Sequence, residues 1–171
     1  TMAVTYREAY QMFICCGIAY NHESPRRGEE FVTRKITKAV ARIKAGQQDE
    51  LRLGSLYTKR DWSHARDIVK GAWLTLQQNR PDDYVFASGI SHSVLELVEL
   101  AFNYAGLDYQ KYVKTDPTLL RPTDVHHLLG LSAKATQLLG WKPTVSFSQL
   151  VQEMVENDCA LVEHSISVSL R

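Results

Sequence analysis

Three separated stretches of this chain place an arginine beside a turn or strand end. They are Asn21-His22-Glu23-Ser24-Pro25-Arg26-Arg27-Gly28, Lys59-Arg60-Asp61-Trp62 and Leu120-Arg121-Pro122-Thr123-Asp124. A guanidinium is a planar fork that holds two oxygens at once. Three such groups from different segments suit an anion gripped from several sides, such as a diphosphate. Asn21 follows an apolar run, Gly17-Ile18-Ala19-Tyr20, and its amide can both donate and accept. Lys35 adds a cation on the helix that follows the first stretch.

Each signal also has a plainer reading. Arg60 beside Asp61 makes a surface ion pair, worth about 0–1 kcal/mol. Asp124, three residues after Arg121 and beyond Pro122, can hold a turn through its backbone bonds. Lys35 suits a solvated helix face, Arg26 a subunit contact, and His22 a satisfied structural histidine. His126-His127 has no third ligand at metal spacing.

The elements that must position these groups alternate between helix and strand. Met2 to Phe13 reads as the end of a helix and Gly17 to Tyr20 as a short buried strand. Phe31 to Ala45 is amphipathic: Val32, Ile36, Val40 and Ile43 recur at helical spacing, and Arg34, Lys35, Lys38 and Arg42 take the other faces. Leu51 to Gly54 is a strand. Ser63 is placed to cap a helix whose apolar face is Ala65, Ile68, Val69, Ala72, Trp73 and Leu76. Tyr84 to Ala87 is a strand, and Ser93-Val94-Leu95-Glu96 is a capping box opening a helix that stops at Gly106. Residues 108–124 read as irregular. Ser132 to Leu139 is a short helix, and Ser146 starts the last one. The pattern predicts an α/β fold, with one domain over residues 1–165 and a frayed tail over 166–171. The runs around Ile18 and Val85 look like parallel strands that expect neighbours on both sides.

Composition narrows the function. Twenty Lys and Arg against nineteen Asp and Glu leave a net charge of +1, which argues against bulk binding to nucleic acid or to a membrane surface. No apolar run is long enough for a membrane helix. Three cysteines, two of them adjacent at Cys15 and Cys16, make no disulfide framework and suit a reducing cytoplasm. The chain has no glycine-rich dinucleotide loop.

The first stretch, with Tyr6-Arg7-Glu8 before it and Phe31-Val32-Thr33-Arg34-Lys35-Ile36 after it, closely resembles the GDP-mannose 4,6-dehydratase family of extended short-chain dehydrogenases. So do Lys59-Arg60-Asp61-Trp62, Arg121-Pro122-Thr123-Asp124 and Leu139-Gly140-Trp141-Lys142-Pro143. The resemblance implies a C-terminal substrate-binding domain with the last strands of an NAD(P)-binding Rossmann-like sheet. It implies an NADP-dependent lyase converting GDP-mannose to GDP-4-keto-6-deoxymannose, a cytoplasmic homo-oligomer on the route to GDP-fucose. By that likeness His22 and Arg27 lie against the cofactor, and Asn21, Lys35, Arg60, Arg121 and Asp124 against the GDP-sugar. No catalytic residue is assigned here, because the family's Tyr-x-x-x-Lys pair belongs upstream of Thr1. The chain is therefore expected to be inactive without an N-terminal Rossmann half. Another GDP-sugar epimerase or reductase, or a standalone nucleotide-sugar-binding module, are the alternatives. Residues 108–120 are shorter than the family pattern, and Asp124 stands where it has glutamate.

Overall fold

A computed structural model describes residues 2–120, 123 and 125–169. The expected alternation is present. Helix α1 (Met2–Tyr10) leads into β1 (Cys16–Ala19) and β2 (Asn21–Glu23). Helix α2 (Val32–Lys44), β3 (Leu51–Leu53), β4 (Lys59–His64) and α3 (Ala65–Thr75) follow. Next come β5 (Asp83–Phe86), β6 (Ser91–Ser93) and α4 (Val94–Tyr104). The region expected to be irregular contains α5 (Tyr109–Tyr112), β7 (Val113–Thr115) and a 3-10 turn at Pro117–Leu119. Two more helices, α6 (Ala133–Leu139) and α7 (Phe147–Ser169), end the described chain, so residues 166–169 of the tail expected to fray are helical.

The strands form three small sheets. β1 pairs with β5 in parallel, from Cys16↔Asp83 to Ala19↔Phe86. β2 pairs in parallel with β4, which pairs antiparallel with β6. β3 pairs in parallel with β7, a contact hidden in the sequence because β7 is only three residues long.

Two apolar cores result. The larger joins Ile36 and Val40 of α2, Trp62 of β4, Val98 and Phe102 of α4, and Leu150 and Met154 of α7. The smaller joins Ile68, Tyr84, Phe86, Ala135, Leu139 and Trp141. There the Leu-Gly-Trp-Lys-Pro motif is a packing device. Trp141 meets Phe86 edge to face at 5.0 Å and donates its indole N–H to the Asp67 carbonyl at 2.7 Å. The buried Asp67 carboxylate accepts from Thr144 N, Thr144 Oγ1 and Val145 N, at 2.9, 2.5 and 3.1 Å.

Three local expectations are corrected. His64, not Ser63, caps α3: its Nδ1 accepts from Arg66 N at 2.9 Å, while Ser63 is buried within β4. Arg34, expected off the apolar face of α2, is instead buried against Asp158 of α7. Only part of the predicted apolar face of α3 is covered. Ile68 is buried, but Val69, Trp73 and Leu76 are 58–69% exposed, and Ile18 of β1 is 55% exposed. Tyr6 and Tyr10 of α1 are exposed as well, at 46% and 69%. The Ser93–Glu96 capping box is present as expected, with bonds of 3.0 and 3.1 Å.

Candidate nucleotide-sugar site

Residue alternation along β2 and β4 sorts the candidate residues onto two faces. Side chains on a strand point to opposite sides in turn, and paired residues share a side. Asn21 pairs with Trp62 and His22 with Ser63. Arg60 is two residues before Trp62. Asn21 and Arg60 therefore share one face, and His22 and Asp61 share the other.

The Arg60 guanidinium donates to the Lys59 and Val125 carbonyls at 2.9 and 2.6 Å. Residues 125–128 run beside it. Lys59 N donates to His126 O at 2.8 Å, and Leu128 N donates to Lys59 O at 3.0 Å. Leu119 presses on the end of β3: a Cβ at Gly54 would lie 2.7 Å from Leu119 O, so only glycine allows that approach. Lys35 reaches β3 too, its Nζ 2.8 Å from Arg52 O. Arg121 and Asp124 lie outside the described residues.

Asp61 is the residue that sequence reasoning missed. Its carboxylate makes no ion pair with Arg60, since the two point to opposite faces. It is fully buried and accepts from Ser88 N and Oγ, Gly89 N and Gly130 N at 2.7–3.2 Å. One buried carboxylate therefore fixes both the β5–β6 loop and the backbone at Gly130. The only sequence signal is an Asp flanked by strand residues, where a charge is costly unless backbone N–H groups surround it.

The first stretch is held from beneath. The Arg34 guanidinium forks onto Asp158, with contacts of 2.8–3.0 Å, and donates to the Pro25 and Arg27 carbonyls. Thr37 adds a 2.7 Å bond to Asp158. The turn at 24–28 is thereby tied to α2 and α7. Arg27 sits 3.1 Å from the buried Glu23 carboxylate and stacks over the Phe31 ring at 3.5 Å. Burial pushes the Glu23 carboxyl above its usual range, and the Thr33 hydroxyl at 2.6 Å and Arg27 pull it back. The His22 Nδ1 lies 2.9 Å from Tyr20 O. A carbonyl only accepts, so Nδ1 carries the proton and Nε2 is an acceptor. His22 and Glu23 alternate on β2, so the structure does not set His22 and the Glu23-bound Arg27 on one face.

The architecture defines a class: an α/β fold with parallel strand pairing that matches about half of larger chains. It is shared with RMD from Pseudomonas aeruginosa complexed with NADPH (TM-score 0.83, 20% identity, 93% of this chain and 52% of that one). UDP-glucose 4-epimerase from Thermotoga maritima with UDP-glucose is similar (TM-score 0.78, 22% identity, 93% and 50%). Within that class the chain belongs to the GDP-mannose 4,6 dehydratase family, whose model matches residues 1–154. It is 51% and 52% identical to GDP-mannose 4,6 dehydratases 1 and 2 of Arabidopsis thaliana over 160 residues, and 44% identical to the Homo sapiens protein over 178. It spans 94% of itself but only 44%, 43% and 48% of those relatives, about half their length.

Proposed function

We propose that this chain is the substrate-binding half of a GDP-mannose 4,6-dehydratase. The observation that carries the reading is the 51–52% identity to two such proteins over 94% of the chain. The geometry supports it in detail. Asn21 and Arg60 present an amide and a guanidinium from one face of β2–β4, and Lys35 stands over β3. In this reading Arg60 and Arg121 bind the diphosphate, Asn21 orients the sugar, and Lys35 and Asp124 bind the nucleoside.

NADP fits only at its edge. His22 offers an acceptor Nε2 on the face away from Arg60, suited to a ribose hydroxyl or a carboxamide N–H, and Arg27 offers a charge held by Glu23. No glycine-rich loop for the cofactor's phosphates and no Tyr-x-x-x-Lys occur in this sequence. NADP, when bound, supplies hydride transfer from the sugar and its return. The chain's own residues bind and orient the GDP-sugar, while the proton-transfer groups come from an N-terminal Rossmann half. The exposed Val69, Trp73 and Leu76 of α3 and the exposed Ile18 of β1 are apolar groups available to that half. In this reading the complete protein is a cytoplasmic lyase that assembles as a homo-oligomer, on the route to GDP-fucose.

The test is a chimera joining residues 1–171 to the N-terminal half of an Arabidopsis relative. It should convert GDP-mannose to the 4-keto sugar, and the 171-residue chain alone should not. A charged hydrogen bond is worth about 1.5–3 kcal/mol, so Arg60→Ala should weaken GDP-mannose by roughly 10- to 150-fold and leave bound NADP unchanged. His22→Ala should loosen NADP first. A folded but inactive chimera, or equal loss of both ligands in both variants, would overturn the reading.

A further inference from the structure

Residues 125–131 pass along β4 with little of their own surface covered. Val125, His126, His127, Leu129 and Leu131 are exposed, and Gly130 is the one buried residue among them. Apolar packing therefore does not set the path of this backbone; hydrogen bonds do. In the middle it is bonded to Lys59 through His126 O and Leu128 N, and the His127 Nε2 lies 2.8 Å from Ser91 Oγ of β6. At one end Val125 O accepts from the Arg60 guanidinium at 2.6 Å. At the other, Gly130 N donates to Asp61 at 3.2 Å. A Cβ at Gly130 would lie 2.3 Å from the Ala87 Cβ and 2.8 Å from the Tyr20 ring, so the backbone is pressed in at that point.

Asp61 is where these bonds converge. Its Oδ1 accepts from Ser88 N and Oγ, and its Oδ2 accepts from both Gly89 N and Gly130 N. Oδ2 thus joins the β5–β6 loop to Gly130. The loop leads into Ser91, which pairs with Asp61 in register and bonds His127. Arg60 is the next residue along β4, but it points to the opposite face, so Asp61 does not touch what Arg60 touches. The link between them runs through the backbone of 125–130. A guanidinium with one N–H on a fixed carbonyl holds its fork in one orientation before a ligand arrives, which lowers the cost of binding.

We propose that Asp61 is a positioning residue for anion binding: by anchoring Gly130 and the β5–β6 loop it sets the 125–130 backbone, and through Val125 O it sets the Arg60 guanidinium for the diphosphate of a GDP-sugar. The proposal rests on the reading of Arg60 as a diphosphate ligand.

The test is a double-mutant cycle on the 171-residue chain, with GDP affinity read by calorimetry and folding by far-UV circular dichroism. Asp61→Asn keeps the shape but turns an N–H2 toward N–H donors, so one of them loses its acceptor. It should weaken GDP about tenfold, within the roughly 10- to 150-fold expected of Arg60→Ala, and speed amide exchange at Leu128 and Gly130. His127→Ala, at an exposed position that folding does not need, should weaken GDP about threefold. In the Arg60→Ala background neither substitution should weaken GDP further, because both act through Arg60; a merely structural loss would multiply instead. GDP affinity unchanged by His127→Ala and by folded Asp61→Asn, or losses that multiply with Arg60→Ala, would overturn the proposal alone. A parent that binds no GDP, or Arg60→Ala that binds it as the parent does, would overturn the diphosphate reading and this proposal with it.

Discussion

Arg34→Met is the sharpest test of how the 24–28 turn is held. In the parent, the Arg34 fork neutralises Asp158, whose side chain is only 2% exposed, and satisfies two turn carbonyls. Removing Arg34 leaves a buried carboxylate with Thr37 alone as donor. Breaking a buried pair from one side costs about 3–5 kcal/mol. For a chain of this size each 1 kcal/mol moves the melting temperature by roughly 2–4 °C, so a fall of about 6–20 °C is expected. The double variant Arg34→Met/Asp158→Leu removes the stranded charge. It should recover most of that loss, retaining a deficit of about 1–2 kcal/mol from the two turn carbonyls, which can turn to water. Urea unfolding at low protein concentration, followed by far-UV circular dichroism, reads all three proteins. A double variant as unstable as Arg34→Met, or a single variant within 1 kcal/mol of the parent, would refute a charge-based brace.

Ser93→Ala removes one arm of the α4 capping box and should cost about 1 kcal/mol in the same denaturation experiment. Acid should loosen the α1 attachment. Arg7 bonds Asp83 at 2.6 and 3.2 Å and holds its carboxyl down to about 2, so the pair's stabilisation is complete above the ordinary carboxylate range and is lost as pH falls from about 4 through 2. Hydrogen exchange of α1 should speed up across that window, and Asp83→Asn should abolish the dependence. Val69, Trp73 and Leu76 leave the isolated chain prone to associate; Trp73→Lys with Leu76→Lys should shift it toward monomer in sedimentation, with no loss of unfolding stability.

The sequence by itself determined the family, the α/β alternation and the local devices whose chemistry is contained within a few residues. The Ser93–Glu96 cap and the amphipathic α2 are of this kind, because a 3.6-residue period and a three-residue cap are local signals. The exposed strand edge was legible for the same reason: the run around Ile18 reads as an apolar strand expecting neighbours on both sides, and among the described residues only β5 pairs with it. What only the tertiary structure decided are the pairings across long separations. Arg34 and Lys35 are adjacent basic residues on one helix, yet packing buries the first against Asp158, 124 positions away, and leaves the second at the surface on Arg52 O. Asp61 looks like half of a surface pair and is instead the buried anchor of two loops, since its four donors come from residues 27 to 69 positions away. The division of the candidate site into an Asn21–Arg60 face and a His22 face rests on the register of β2 against β4. A shift of one residue would exchange those faces, and nothing within either short strand states which register forms.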